Sequence, residues 1–251
     1  MNIYTYRGFG DCLSCYSIIK EYAKSNDKIY YYSDSRNELT IKNAKRLYSS
    51  IPNVEIISEP CHNDTRIDLT IANNTEWYDK LGIYLERPEI PLSEELEETK
   101  KEWISEYQWY LNANVPFNLK WDNFYLERNL EKEKEIYYDI LGLKDNEEFI
   151  FLHEDLERGF EYYSEGYKIN RDYIKPDIKI IELSKLKDIS ILDITYVLER
   201  AEEIHTFNSG VAIFADLMLK SHEGLYYHHY VRANRFQRPY FKLNWAEIIF
   251  R

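Results

Sequence analysis

The chain is poor in the features that mark several whole classes of protein. Its 251 residues include three cysteines, Cys12, Cys15 and Cys61. An odd number cannot all pair within one chain, so an extracellular disulfide framework is excluded and a reducing, cytoplasmic setting is expected. No apolar run approaches the eighteen or so residues that a membrane helix needs. The opening Met1-Asn2-Ile3-Tyr4-Thr5-Tyr6 lacks a basic segment followed by an apolar stretch, so neither a membrane span nor an export leader is expected. Basic residues are outnumbered: 32 Lys and Arg against 44 Asp and Glu leave a net charge of -12, which repels a phosphate backbone and counts against nucleic acid as a partner. Also missing are a His-x-x-x-His pair, a nucleophile elbow, a Walker loop, an Asp-x-Asp pair to hold a divalent ion, any Gly/Ser linker and any internal repeat.

What is present points to a packed protein. Hydrophobic residues at 44% and aromatics at 16% exceed what a disordered chain carries, even with 30% charged residues. The length suits one large domain or two small lobes. The 24 tyrosines accompany many Asn, Ile and Lys, a bias that an AT-rich genome produces as readily as a sugar-stacking surface, and they carry no functional weight.

Strand and helix periods alternate along the chain. Ile3 to Tyr6 is a β-prone run that meets Gly8-Phe9-Gly10-Asp11, after which Leu13, Tyr16, Ile19 and Ala23 recur at helical spacing. Lys28 to Tyr32 predicts a second strand, Asn37 to Tyr48 a helix, Val54 to Ile57 a third strand and Ile67 to Ala72 a fourth, which together imply a parallel sheet with crossover helices. A long helix is expected from Ser93 to Leu111, and another from Leu130 to Leu141 that stops at Gly142. A second α/β unit follows: strand Phe149 to His153, strand Ile178 to Leu183, a helix near Ile191 to Ala201, strand Glu203 to Phe207, a helix from Gly210 to about Lys220, and strand Leu225 to Tyr230. The expected division is an N-terminal lobe, residues 1–120, and a C-terminal lobe, residues 121–251.

Three segments can carry chemistry. In Gly8-Phe9-Gly10-Asp11-Cys12-Leu13, glycine permits a sharp turn and the helix that follows points its first amides into the edge of the sheet, where an anion or a sugar hydroxyl can dock. Read as a dinucleotide fingerprint the segment is poor, since Leu13 stands at the third glycine position and Asp11 sets a negative charge beside a pyrophosphate. Asp34, ending the second strand, is at a spacing suited to a ribose, and a dehydrogenase is a third reading behind those below. Asp11 is the candidate base for an acceptor hydroxyl, and it serves equally well as a charge that stabilises the helix start. His153-Glu154-Asp155-Leu156-Glu157-Arg158-Gly159 follows a buried strand, and Arg158 can grip a diphosphate or pair with Glu154 or Asp155 in a charged turn. Asn208-Ser209-Gly210-Val211 links strand to helix and forms a cradle for phosphate oxygens or an ordinary N-cap. Cys12-Leu13-Ser14-Cys15 with Cys61-His62 makes a poor metal site and reads better as buried thiols. His228 and His229 point to opposite faces of a strand, so one packs and one is solvated.

Two of these turns carry a resemblance. Gly10-Asp11-Cys12-Leu13 resembles the N-terminal Gly-Asp-Val-Leu segment of heptosyltransferase-like glycosyltransferases, and Asn208-Ser209-Gly210-Val211-Ala212 with Ala215 resembles their C-terminal Asp-Ser/Thr-Gly turn. In this chain Asn208 stands for the first aspartate of that turn and Ile213 for the histidine that follows it. His153 to Gly159 also resembles, with altered spacing, the His-x-Arg-x-Gly-Asp element of fucosyltransferases of the same architecture. The resemblance implies an α/β protein of two Rossmann-like lobes facing across a cleft, the type B glycosyltransferase architecture. It implies Asp11 as catalytic base, Gly8 and Gly10 on the acceptor side, and His153, Arg158, Asn208, Ser209, Gly210 and Val211 on a nucleotide-sugar donor. The implied reaction moves a sugar from a nucleotide diphosphate to a glycan or other hydroxyl acceptor, with the nucleotide-sugar as co-substrate and with no metal and no cofactor. Two alternatives stand beside it: a non-catalytic sugar- or nucleotide-binding module, and a viral DNA-modifying glycosyltransferase, which only the basic and aromatic tail of Arg232, Arg235, Phe236, Arg238, Tyr240, Phe241 and Lys242 supports.

Overall fold

The computed structural model describes residues 1–4, 8–34, 38–59, 70–72, 105–156, 166–183, 186, 189–232 and 240–248. The chain divides into two compact units, Met1–Leu126 with Phe236–Tyr240, and Glu127–Arg235 with Phe241–Arg251. Both are of mixed α/β build around mostly parallel sheets.

In the first unit, β1 (Asn2–Tyr4), β2 (Ile29–Asp34), β3 (Val54–Glu59) and β4 (Thr70–Ala72) form a sheet in the order β3-β2-β1-β4. β1, β2 and β3 are parallel, but β4 runs antiparallel to β1, Asn2 opposite Ala72 and Tyr4 opposite Thr70. An all-parallel first sheet is thereby corrected: β4 lies beside β1 in the opposite sense, a pairing that the alternation of periods does not encode.

Helix α1 (Phe9–Ala23) buries eight consecutive residues, Cys12 to Ile19. A helix buried on more than one face has no single apolar stripe. Its neighbours show why. Tyr48 Oη donates to the Cys12 carbonyl at 2.6 Å, and Tyr31 Oη donates to Cys12 Sγ at 3.3 Å. From the other side, Tyr110 Oη donates to the Ser14 carbonyl at 2.9 Å. Helix α2 (Glu38–Leu47) covers the sheet beside it, while α3 (Ser105–Asn112) and α4 (Leu119–Asp122) complete the unit. Of the long helix expected from Ser93, residues 93–104 lie outside the described residues. Between α1, α3 and α4 sits a buried ion pair: Lys120 Nζ is 2.8 Å from Glu106 Oε2, and the two side chains are 1% and 7% exposed. Ser14 Oγ donates to the other Glu106 oxygen, and Lys120 also donates to the Tyr240 carbonyl at 2.9 Å.

The second unit opens with α5 (Leu130–Glu135), capped by Asn129 Oδ1, which accepts from the Lys132 N–H at 3.0 Å. It widens into a π-helical turn over Ile136–Ile140 and stops at Gly142, whose φ of +60° is the left-handed conformation that ends helices. β5 (Phe149–Leu152), β6 (Lys179–Glu182), β7 (Glu203–Thr206), β8 (Leu225–His228) and β9 (Ala246–Ile248) form a wholly parallel sheet in the order β6-β5-β7-β8-β9. All four residues of β5 are buried, as a central strand covered on both faces requires. The chain re-enters at Gly166, φ +69°, where Tyr167 bridges Asp155; a Cβ there would stand 2.5 Å from the Leu156 carbonyl oxygen, so only glycine fits.

Several elements differ from the expected ones. The helix expected near Ile191 to Ala201 is instead a 3-10 turn, Ile191–Asp193, followed by the one-turn α6 (Thr195–Leu198). The restart is a tertiary event: buried Glu133, paired with Arg128 at 2.6 Å, accepts the Tyr196 N–H at 2.9 Å. The last expected strand ends at His228, and His229–Arg232 turn as a 3-10 helix. α7 (Gly210–Met218) follows β7, and β9 was not anticipated.

Candidate functional site

In the second unit the chain places β6 on one side of β5 and then crosses to place β7 on the other, which makes the β5–β7 boundary the point where strand order reverses. Open α/β sheets bind ligands outside the carboxyl ends of the strands at such a point. His153 emerges from β5 there, and Phe207, Asn208 and Ser209 emerge from β7 and lead into α7. The two segments are tied: the His153 N–H donates to the His205 carbonyl at 2.9 Å, and the His153 ring lies parallel to Phe207, 9° off plane with centroids 5.0 Å apart.

Ser209 stands at the N-cap of α7 but makes no side-chain cap bond; its Oγ lies 3.3 Å from Thr206 Oγ1. The N-cap alternative therefore lacks its side-chain bond from Ser209, and the first amides of a nine-residue helix keep their positive end toward the reversal point. Gly210 and Val211 supply the first of those amides.

Among the described residues, Glu154, 2% exposed, is gripped by Arg171, a partner not anticipated from the sequence: both terminal guanidinium nitrogens reach its two oxygens at 2.8 Å, and the Ile169 N–H donates to it at 2.6 Å. Arg158, Gly159, Cys61, His62, Arg235, Phe236 and Arg238 lie outside the described residues, as do the side chains of Asp34 and Arg232.

Beneath this edge runs a chain of buried rings that the sequence reading missed. Glu203 Oε2 lies 3.0 Å from His205 Nε2, and His205 Nδ1 lies 2.9 Å from His228 Nε2. With Glu203 as a carboxylate, His205 donates to it through Nε2 and accepts on Nδ1 from the His228 Nε2–H. His228 Nδ1 is then a bare acceptor, buried and without a hydrogen-bond partner among the described residues. Burial lowers the pKa of His205 despite Glu203, and burial with the neighbouring His205 pushes that of His228 down to about 3. The available signal was period two: Glu203, His205 and Phe207 share one strand face, as do Tyr226 and His228. His228 is buried and His229 partly exposed, 3.0 Å from Glu247, though His229 opens the 3-10 turn and does not continue the strand.

In the first unit, Asp11 sits in the first turn of α1, where its N–H donates to the Gly8 carbonyl at 3.1 Å and its Oδ2 accepts the Gly8 N–H at 2.8 Å. The Asp11 carboxylate thus supplies the returning half of a capping box, while Gly8, without a side chain, accepts only through its backbone carbonyl. Gly10 and Asp11 are helical, so the tight turn expected before Leu13 is the helix start itself. Gly8 has φ -97° and ψ -172°, extended backbone open to any residue, and a Cβ there meets nothing within 4 Å, so no sharp turn demands it. Cys12 and Cys15 are buried, and burial raises the Cys15 thiol well above its ordinary pKa.

No family model matches the chain, and no curated protein matches it in sequence. Among solved structures, a similar one is "The crystal structure of the glycosyl transferase family 9 from Veillonella parvula DSM 2008", 11% identical over 98% of this chain and 84% of that chain, with a TM-score of 0.49.

Proposed function

We propose that the protein is a cytoplasmic glycosyltransferase whose second unit holds a nucleotide-sugar at the β5–β7 boundary and which moves the sugar to a hydroxyl acceptor without a metal. The observation that carries this reading is the strand order of the second sheet, which sets His153 on one side of the reversal point and Asn208, Ser209, Gly210 and Val211 on the other. The amides at the start of α7 suit a diphosphate, and the partly exposed His153 ring, backed by the buried Phe207 ring, offers a flat surface. In the proposed step, the acceptor oxygen bonds to the anomeric carbon as its proton passes to Asp11. The bond from that carbon to the diphosphate breaks, and the amides with Arg158 take up the charge of the leaving group.

Thermal shift with UDP-, GDP-, ADP- and CMP-linked sugars tests the binding half. A ligand at a hundred times its Kd stabilises the folded state by about 2.7 kcal/mol, and His153→Ala should weaken the response. No shift with any of the four would refute it. A second reading, a nucleotide-sugar-binding module without transfer, is favoured by the capping pair of Asp11 with Gly8; binding without nucleotide release would select it.

A further inference from the structure

The buried Glu203–His205–His228 chain has no part in the reaction proposed above, yet it lies directly under the reversal point. One face of it is closed by the segment Tyr167–Ile174. The Tyr173 ring meets His228 at 6.0 Å and 66°, and Tyr230 meets it at 5.5 Å and 87°. Tyr230 Oη accepts the Asn170 N–H at 2.7 Å, and Tyr167, Ile169 and Ile174 pack with Leu152 and Phe207 in one core cluster. Among the described residues, the charged and titratable groups around the two imidazoles are few. β7 supplies Glu203, and β8 supplies Tyr226, stacked on His205 at 4.5 Å. The turn after β8 supplies Tyr230; the covering segment supplies Tyr173 and Arg171, whose charge acts against protonation of His205 and is itself paired with Glu154 at 2.8 Å and Glu182 at 3.5 Å. At the register of His228, β9 offers only Ile248. The Lys175–Glu202 pair lies beyond Tyr226.

We propose that Glu203–His205–His228 is a proton-operated latch that holds Tyr167–Ile174 on the sheet at neutral pH and releases it in acid, thereby regulating the ligand turn that follows β7. Only the last clause rests on the function proposed above. The chain accommodates protons badly. A first proton makes His205 a double donor, to Glu203 and to His228, and His228 must then move its own hydrogen to Nδ1, where it meets no acceptor among the described residues. A second proton sets two cations N–H against N–H across 2.9 Å. Released, both rings reach water, and the protons taken from solvent stay on them.

The sign follows from linkage. The closed state binds fewer protons than the open one, so closure is fully favoured above the ordinary histidine value of about 6.5 and is lost as pH falls below it. Because His228 is held at about 3 when closed, the opening constant grows about threefold from pH 7 to pH 6 and about eightfold from pH 6 to pH 5, or about 25-fold in all from this residue alone. At pH 5 ordinary carboxylates remain ionised.

Hydrogen exchange on the full chain at pH 7, 6 and 5, corrected for intrinsic rates, reads the latch directly. Protection of the Ile169 and Asn170 amides should fall about 25-fold or more, while that of α7 and α1 amides stays level. His228→Gln keeps an N–H for His205 Nδ1 but takes no proton, and should remove that fall. Should His228→Gln not fold, Glu203→Gln takes its place: without the carboxylate that holds a His205 cation, release moves toward neutral pH. Equal protection at pH 7 and pH 5 in the native chain, or an unchanged fall in the foldable variant, overturns the latch. Nucleotide-sugar affinity should fall with the same pH profile. If no nucleotide-sugar binds at any pH, the proposed function fails, while the exchange data still decide the latch.

Discussion

Replacing Lys120 by Met removes one partner of the most deeply buried ion pair among the described residues of the first unit. The native ammonium is 2.8 Å from Glu106 Oε2 and donates to the Tyr240 carbonyl at 2.9 Å, with the Trp121 ring 5.0 Å away. Methionine retains the apolar contact with Trp121 but leaves Glu106, 5% exposed, with the Ser14 hydroxyl and a long contact from the Tyr240 N–H at 3.4 Å. Breaking a buried pair by removing one partner costs about 3 to 5 kcal/mol, because the remaining charge is stranded in a poorly solvated place. With an m-value of about 2 kcal/mol/M in urea, a 4 kcal/mol loss moves the unfolding midpoint by about 2 M. Tryptophan fluorescence is a suitable probe, since Trp109 and Trp121 both lie in this unit. Adding Glu106→Leu to Lys120→Met removes the stranded charge, so the double variant should be more stable than the sum of the two single effects allows, by 1 kcal/mol or more. A Lys120→Met cost under 1 kcal/mol, or strict additivity in the cycle, would show that the pair contributes nothing beyond its contacts.

Asp11→Asn keeps an oxygen able to accept the Gly8 N–H, so stability should change by about 1 kcal/mol at most; if Asp11 is the base, nucleotide release in the presence of acceptor should fall by about a hundredfold or more with donor affinity unchanged. Native turnover in that variant would leave the residue as a helix cap alone. Gly166→Ala forces a side chain into φ +69° and to within 2.5 Å of the Leu156 carbonyl oxygen. It should cost about 1 to 3 kcal/mol in chemical denaturation, and a neutral result would mean that the Asp155–Tyr167 bridge is dispensable.

Local chemistry in the sequence was sufficient for the alternation of strands and helices, the stop of α5 at Gly142, and the placing of a turn and helix after Glu203–Thr206. Those features depend on residues near one another along the chain: a run of four apolar residues in β5, glycine for a positive φ, and periods of two and 3.6. The N-cap position of Ser209 was legible for the same reason. Asp11 was legible as a first-turn carboxylate, and its two readings stayed open because base and cap ask for the same residue at the same place.

What pairs across the chain was decided only in three dimensions. The antiparallel sense of β4, the break between Asp193 and Thr195, and the engagement of Glu154 by Arg171 each depend on a partner far away in sequence, and nothing local distinguishes them from their alternatives. The His205–His228 bond joins residues 23 apart because β7 and β8 are neighbours in parallel register, which brings two ordinary strand histidines to 2.9 Å. Their depressed basicity is therefore a property of the sheet and its cover, since desolvation and the proximity of a second ring exist only once the strands are packed.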